Sequence, residues 1–106
     1  MEQRRTRRFK LQLPLSITRA GAERVTLAGR TDNISSSGVL FTTQGEPEVG
    51  GPIEYIITLT SDGSQPVNLR CIGKILRSET AHGHGDFSRE CQIAATLERY
   101  EFVREH

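Results

Sequence analysis

Phe9-Lys10-Leu11-Gln12-Leu13-Pro14-Leu15-Ser16-Ile17, with Ala20-Gly21-Ala22 and Val25-Thr26-Leu27 after it, decides how this chain folds. Phe9, Leu11, Leu13, Leu15 and Ile17 are apolar at every second position, the period of a strand with one buried face. Pro14 falls on the opposite face, which suits an edge or a bulge. Ala20-Gly21-Ala22 reads as a tight turn, and Val25 and Leu27 resume the alternation on a return strand. Matching the apolar faces sets Ile17 opposite Val25, Leu15 opposite Leu27 and Leu13 opposite Gly29. A slip of one residue would lose that match. Extended, the register brings Leu11 to Thr31 and Phe9 to Asn33.

Downstream the same grammar repeats. Val39-Leu40-Phe41 reads as a third strand, and residues 45–52 as a loop rich in Gly and Pro. Ile53, Tyr55, Ile57 and Leu59 alternate in a fourth. Ser61-Asp62-Gly63-Ser64 is a turn. Val67, Leu69, Cys71, Gly73 and Ile75 form a fifth strand, with Gly73 at a bend or bulge. Residues 79–88 read as a polar loop and residues 91–97 as a sixth strand. Leu97, Tyr100 and Val103, three apart, suggest a short terminal helix. Six short strands punctuated by turns predict an all-β, closed or nearly closed antiparallel barrel.

Composition narrows the function. The 106 residues suffice for one domain with a modest core. No apolar run has the length of a membrane span and no signal-peptide core is evident, so a cytoplasmic protein is expected. Cys71 and Cys91 have neither metal-ligand spacing nor the density of a disulfide framework, and read as small core residues. The formal net charge is +1. Arg4, Arg5, Arg7, Arg8 and Lys10 against Glu2 give the first ten residues +4, which leaves −3 for the rest. A general nucleic-acid binder spreads its basic residues over a face. This chain gathers them in one arm, residues 1–8, expected to be flexible, ahead of a single barrel domain over residues 9–106.

Two polar clusters carry chemistry. Arg4-Arg5-Thr6-Arg7-Arg8 holds an arginine pair at i, i+4, and Asn33-Ile34-Ser35-Ser36-Ser37-Gly38 closes the second strand. A guanidinium fork fits phosphate, fits the O6/N7 edge of guanine, and can stack on a base. Alone, the arm reads first as a solvated terminus, and the hexapeptide first as a turn whose Asn and Ser bond their own backbone while Gly takes positive φ. The hairpin register brings the two together. The pair then describes a site for a planar, anionic, guanine-like ligand.

At these residues the chain resembles the PilZ domains, receptors for cyclic di-GMP. Arg4 and Arg8 match the R-x-x-x-R motif; Asn33, Ser35 and Gly38 match D/N-x-S-x-x-G. The stretch from Arg70 to Arg77 resembles the family's fifth strand, and Ile93-Ala94-Ala95 its last, although Cys91 and Gln92 stand where many members carry glycine. The resemblance implies a six-stranded antiparallel, Greek-key-like barrel. It also implies a non-catalytic, cyclic di-GMP-binding signalling adaptor that acts on an unidentified downstream protein and needs no cofactor; the local placement of the charge adds that no general nucleic-acid binding is expected. Carried over, Arg4 and Arg8 are the main clamp, Arg5 and Arg7 auxiliaries, and Asn33, Ser35 and Gly38 the facing turn. Arg77 joins if its strand lies beside the site. The rival reading is a protein- or RNA-interaction module that docks through the basic arm.

Other chemistry lacks its constellation. His82, His84 and Asp86 share a Gly-rich loop without the further ligands a metal needs. The serine run has no nucleophile elbow or nearby histidine, and there is no Walker loop or dinucleotide fingerprint.

Overall fold

A computed structural model describes residues 12–45, 48–59, 67–81 and 90–104. The arginines of the arm, the 61–64 turn and the histidine loop lie outside these residues. Seven strands are described: β1 (Pro14–Ala20), β2 (Glu23–Ile34), β3 (Gly38–Gln44), β4 (Pro52–Leu59), β5 (Val67–Ala81), β6 (Glu90–Thr96) and β7 (Arg99–Arg104). The antiparallel order β4-β1-β2-β3-β6-β5 closes on itself through a β4–β5 pairing, and β7 adds to the far side of β5. The expected six-stranded barrel is therefore present. Two meanders, β1-β2-β3 and β4-β5-β6, are joined by a crossover from β3 to β4.

The alternation read from the sequence places the core. Leu15, Ile17, Val39, Phe41, Ile53, Tyr55, Ile57, Cys71, Ile75, Cys91, Ile93 and Ala95 form one buried cluster. The Phe41 and Tyr55 rings meet at 5.6 Å, tilted by 37°, and the Tyr55 hydroxyl donates to the Thr96 carbonyl at 3.2 Å. Burial pushes the Tyr55 phenol well above its ordinary range. Both cysteines are free and buried, as expected of core residues, and burial pushes the Cys71 thiol up to about 12.

Four expectations need correction. The β1–β2 register is displaced by two residues: Ile17 faces Leu27 and Leu15 faces Gly29. The turn is the two-residue Gly21-Ala22, and β2 carries an extra residue at Val25-Thr26, opposite Thr18 of β1. These two irregularities together displace the ladder by two, which keeps the buried face and so escapes a test based on apolar matching. The C-terminal segment is a strand, not a helix. The first half of β5 has an edge that β6 does not reach, and β7 pairs with it from Val67↔Arg104 to Ile72↔Arg99. Backbone groups on that edge need partners, and this demand overrides a weak spacing of three. β5 also runs on to Ala81, so residues 79–81 are strand rather than loop. Finally, β5 is bulged not at Gly73 but between Ile75 and Arg77.

Gly73 has a different task. A Cβ there would be driven into the carbonyl oxygen of Thr96. Thr96 Oγ1 accepts from the Lys74 amide at 2.8 Å and donates to Glu98 at 3.0 Å. This is the point at which β5 exchanges β7 for β6 as its neighbour. On the outer face, Thr18 Oγ1 donates to Glu54 at 2.8 Å, Arg70 bonds Glu54 at 3.0 Å, and Arg70 bonds Glu101 at 3.2 Å. This chain of polar contacts links β1, β4, β5 and β7. The Thr18 hydroxyl first, then Arg70, holds the Glu54 carboxyl below its ordinary 4.5.

Three substitutions test these contacts. Gly73→Ala should destabilise the barrel by about 3 kcal/mol in urea denaturation, since backbone must move to admit the methyl. Gly51→Ala, whose Cβ meets nothing closer than 3.5 Å, should change stability by less than about 0.5 kcal/mol. A carboxyl depressed in the folded state stabilises above its unfolded pKa and loses that effect as pH falls through its folded value. Glu54→Gln should therefore lower the thermal midpoint at neutral pH, and the gap from wild type should close progressively below about pH 4.5.

Candidate functional site

Strands β2 and β5 each depart from a regular pleat at one place beside the same cleft. In β2 the pairing runs Thr31↔Phe41 and then Asn33↔Leu40, so Asp32 is an extra residue. Thr31 is buried inward, and Asp32 points outward, accepting from Thr42 Oγ1 at 2.7 Å and from Gln92 at 3.3 Å. Asn33, which strict alternation would turn inward, is turned outward as well. In β5 the pairing runs Ile75↔Ala95 and then Arg77↔Ala94, so Leu76 is extra. Ile75 is buried, and Leu76 and Arg77 both face out. A bulge re-aims the side chains beside it, and here two bulges aim Asn33 and Arg77 at one place.

Between them lies a cavity of about 210 Å³, walled by Asn33, Ser35, Gly38, Leu40, Leu76 and Arg77 with neighbouring β6 residues. Ligand sites for drug-sized molecules run to roughly 300–1,000 Å³. The described residues thus enclose space for part of a larger ligand. Among the described residues the Asn33 amide makes no hydrogen bond. The Arg77 guanidinium is largely exposed, and its one partner among the described residues is Glu79 at 3.8 Å. Both keep donors available to a bound group.

Ser35 is differently committed. Its hydroxyl donates to the Gly38 carbonyl at 3.1 Å and accepts from the amides of Gly38 at 3.2 Å and Ser37 at 3.4 Å. The Ser35 amide also donates to the Gly38 carbonyl at 2.9 Å. These bonds knit the turn that presents Asn33. Gly38 does not occupy the positive-φ region; the positive-φ glycines among the described residues are Gly21, Gly45 and Gly50. The need for glycine at 38 comes from close approach instead. A Cβ there would lie 2.9 Å from the Ala95 carbonyl oxygen on β6.

The structure thus brings Asn33, Ser35, Gly38 and Arg77 together at one end of the β2–β3 hairpin. Arg4, Arg5, Arg7 and Arg8 lie outside the described residues. The described chain begins beside this end of β2: Leu13 donates to Thr31 Oγ1 at 2.8 Å and accepts from the Thr31 amide at 2.9 Å. Leu76 was missed in the sequence. A period-2 reading gives no sign of a bulge, and only the adjacent aliphatic and arginine hinted at it. Among the described residues no cluster of three metal-ligating side chains occurs, and no helix is long and apolar enough to cross a membrane.

The described residues define the class of closed antiparallel β-barrel domains, with a polar cleft on the outer wall at the end of one hairpin. A family model, the PilZ domain, matches residues 2–101, and the chain belongs to that family. Membership implies a cyclic di-GMP-binding adaptor family. No curated protein and no solved structure matches the chain significantly.

If the serine hydroxyl and the bare glycine hold the turn, their loss should register without any ligand. Ser35→Ala should lower stability by about 1 kcal/mol. Gly38→Val should cost about 2 kcal/mol or more, because β3 must retreat from β6. Both are read by chemical denaturation of the free protein.

Proposed function

We propose that this chain is a non-catalytic cytoplasmic receptor for cyclic di-GMP, and that Arg4 and Arg8 close over the ligand against the turn bearing Asn33, Ser35 and Gly38. The observation that carries the reading is the pair of bulges that turn Asn33 and Arg77 outward onto one cleft, at the turn that bears the family's motif. Arginine forks take phosphate or the guanine O6/N7 edge in two parallel bonds. The free Asn33 amide can both donate to and accept from a base edge. Ser35 and Gly38 contribute by setting the shape of the turn, and Arg77 forms the opposite wall. Arg5 and Arg7 add charge.

Energetics set a threshold for closure. Fixing the backbone of about seven arm residues costs on the order of 10 kcal/mol. Each charge-assisted bond returns about 1.5–3 kcal/mol. Several contacts must therefore form at once, and a mononucleotide should not suffice. The closed arm alters the surface offered to a downstream protein, which is how an adaptor without chemistry transmits the signal.

Calorimetric titration tests this reading. Cyclic di-GMP should bind selectively over GTP and over oligonucleotides. Arg4→Ala and Arg8→Ala should each weaken binding by about 2–3 kcal/mol, with little change in the thermal midpoint of the free protein. Arg77→Ala should weaken it less. Unchanged affinity in both arm variants, or preference for oligonucleotides, would overturn the assignment in favour of an interaction module.

A further inference from the structure

β7 ends the strand order, so among the described residues it has one neighbour, β5, and a free edge. Its sequence, Arg99-Tyr100-Glu101-Phe102-Val103-Arg104, contains no proline or glycine, and its pairing with β5 shows no bulge. Proline and bulges are two of the devices that blunt natural edge strands; of those devices β7 keeps only charged residues, and Arg99 and Glu101 are of opposite sign. The core-facing side of β7 is also bare. Tyr100 and Phe102 lie opposite Cys71 and Leu69, yet remain 60% and 64% exposed. Their rings pack edge to face at 6.2 Å. A free edge beside a strip of exposed aromatics is a template for strand addition.

The charge order of this strand selects the occupant. In a two-fold antiparallel pairing centred on Tyr100, Arg99 stands opposite Glu101 of a second copy, and Glu101 opposite its Arg99. Two reciprocal ion pairs flank a Tyr100–Tyr100 contact, with Phe102 on the diagonal. Centring on Glu101 would oppose two carboxylates, and centring on Phe102 would set Glu101 against Val103. Opposite charges facing across strands stabilise and like charges destabilise. Glu101 already meets Arg70 within its own chain, but a carboxylate accepts on both oxygens. Isologous pairing of this kind is the commonest route to a symmetric dimer.

We infer that two copies of this chain pair through β7, edge to edge and antiparallel about Tyr100, to form a weak dimer with a continuous sheet across the interface. Asn33 and Arg77 belong to a different part of the barrel, so the dimer does not depend on the nucleotide reading.

Sedimentation equilibrium over a concentration series tests it on the whole chain. Wild type should move from monomer to dimer as concentration rises. Arg99→Glu and Glu101→Arg should each weaken dimerisation on the order of tenfold, since symmetry makes each change count twice. The double variant Arg99→Glu with Glu101→Arg should restore it, which distinguishes an intermolecular pair from local damage at Arg70. Circular dichroism would verify that each variant is folded. A monomer across the whole series, or a dimer indifferent to the single reversals, would overturn the inference.

Discussion

The barrel depends on a crossing where there is no room for a side chain. At Gly73 the backbone of β5 passes against Thr96, and a methyl group at that point would strike the Thr96 carbonyl. Around this contact β5 gives up β7 and takes β6. The same threonine receives the Tyr55 hydroxyl, the largest fully buried side chain, and caps the Lys74 amide. Closure of the ring, orientation of the central aromatic pair and the start of β7 all meet at one residue pair. Close packing explains why such a point is unforgiving: interiors leave no slack into which an added atom can move.

Beyond that crossing β5 bulges at Leu76, and across β6 and β3 the bulge at Asp32 on β2 faces the same cleft. The division of labour is clear in the hydrogen bonds. Ser35 spends its hydroxyl on the turn and Asp32 on Thr42 and Gln92, whereas Asn33 and Arg77 remain available. The turn is also tied to the other end of the molecule's chain, since the Leu97 amide donates to the Ser37 carbonyl at 3.0 Å and the Glu98 amide to the Ile72 carbonyl at 2.9 Å. The cleft rests on backbone pairings on both flanks, so a group bound there meets a scaffold already in place.

Much of this was legible in the residue pattern. Alternation in 13–17, 53–59, 67–75 and 91–95 marks the inward faces correctly, because burial on one side of a pleat writes itself at period 2. Three things were not legible, for one reason each. The β1–β2 register was read two residues out, because the short turn and the extra β2 residue at Val25-Thr26 act together while preserving the buried face. β7 was read as a helix, because what makes it a strand is an edge contributed by residues some thirty positions earlier. The outward turn of Asn33 and Arg77 was invisible, because a bulge is an irregularity in pairing and leaves no mark in composition. The motif residues themselves stood out only as a set, joined by the family resemblance.

The positions of the two bulges bear on how such a domain can change over generations. Removing a residue from the middle of a regular strand reverses every side chain beyond it and turns the core inside out. Removing Asp32 or Leu76 would do the opposite. The pleat would become regular, Ile34 and Ser78 would keep their facing, and the core would be untouched, while the cleft would lose part of its wall. A single-codon deletion at either place could therefore silence the cleft and spare the barrel. A lineage has a short path from a barrel with a cleft to one without, and an insertion at the same place offers a path back.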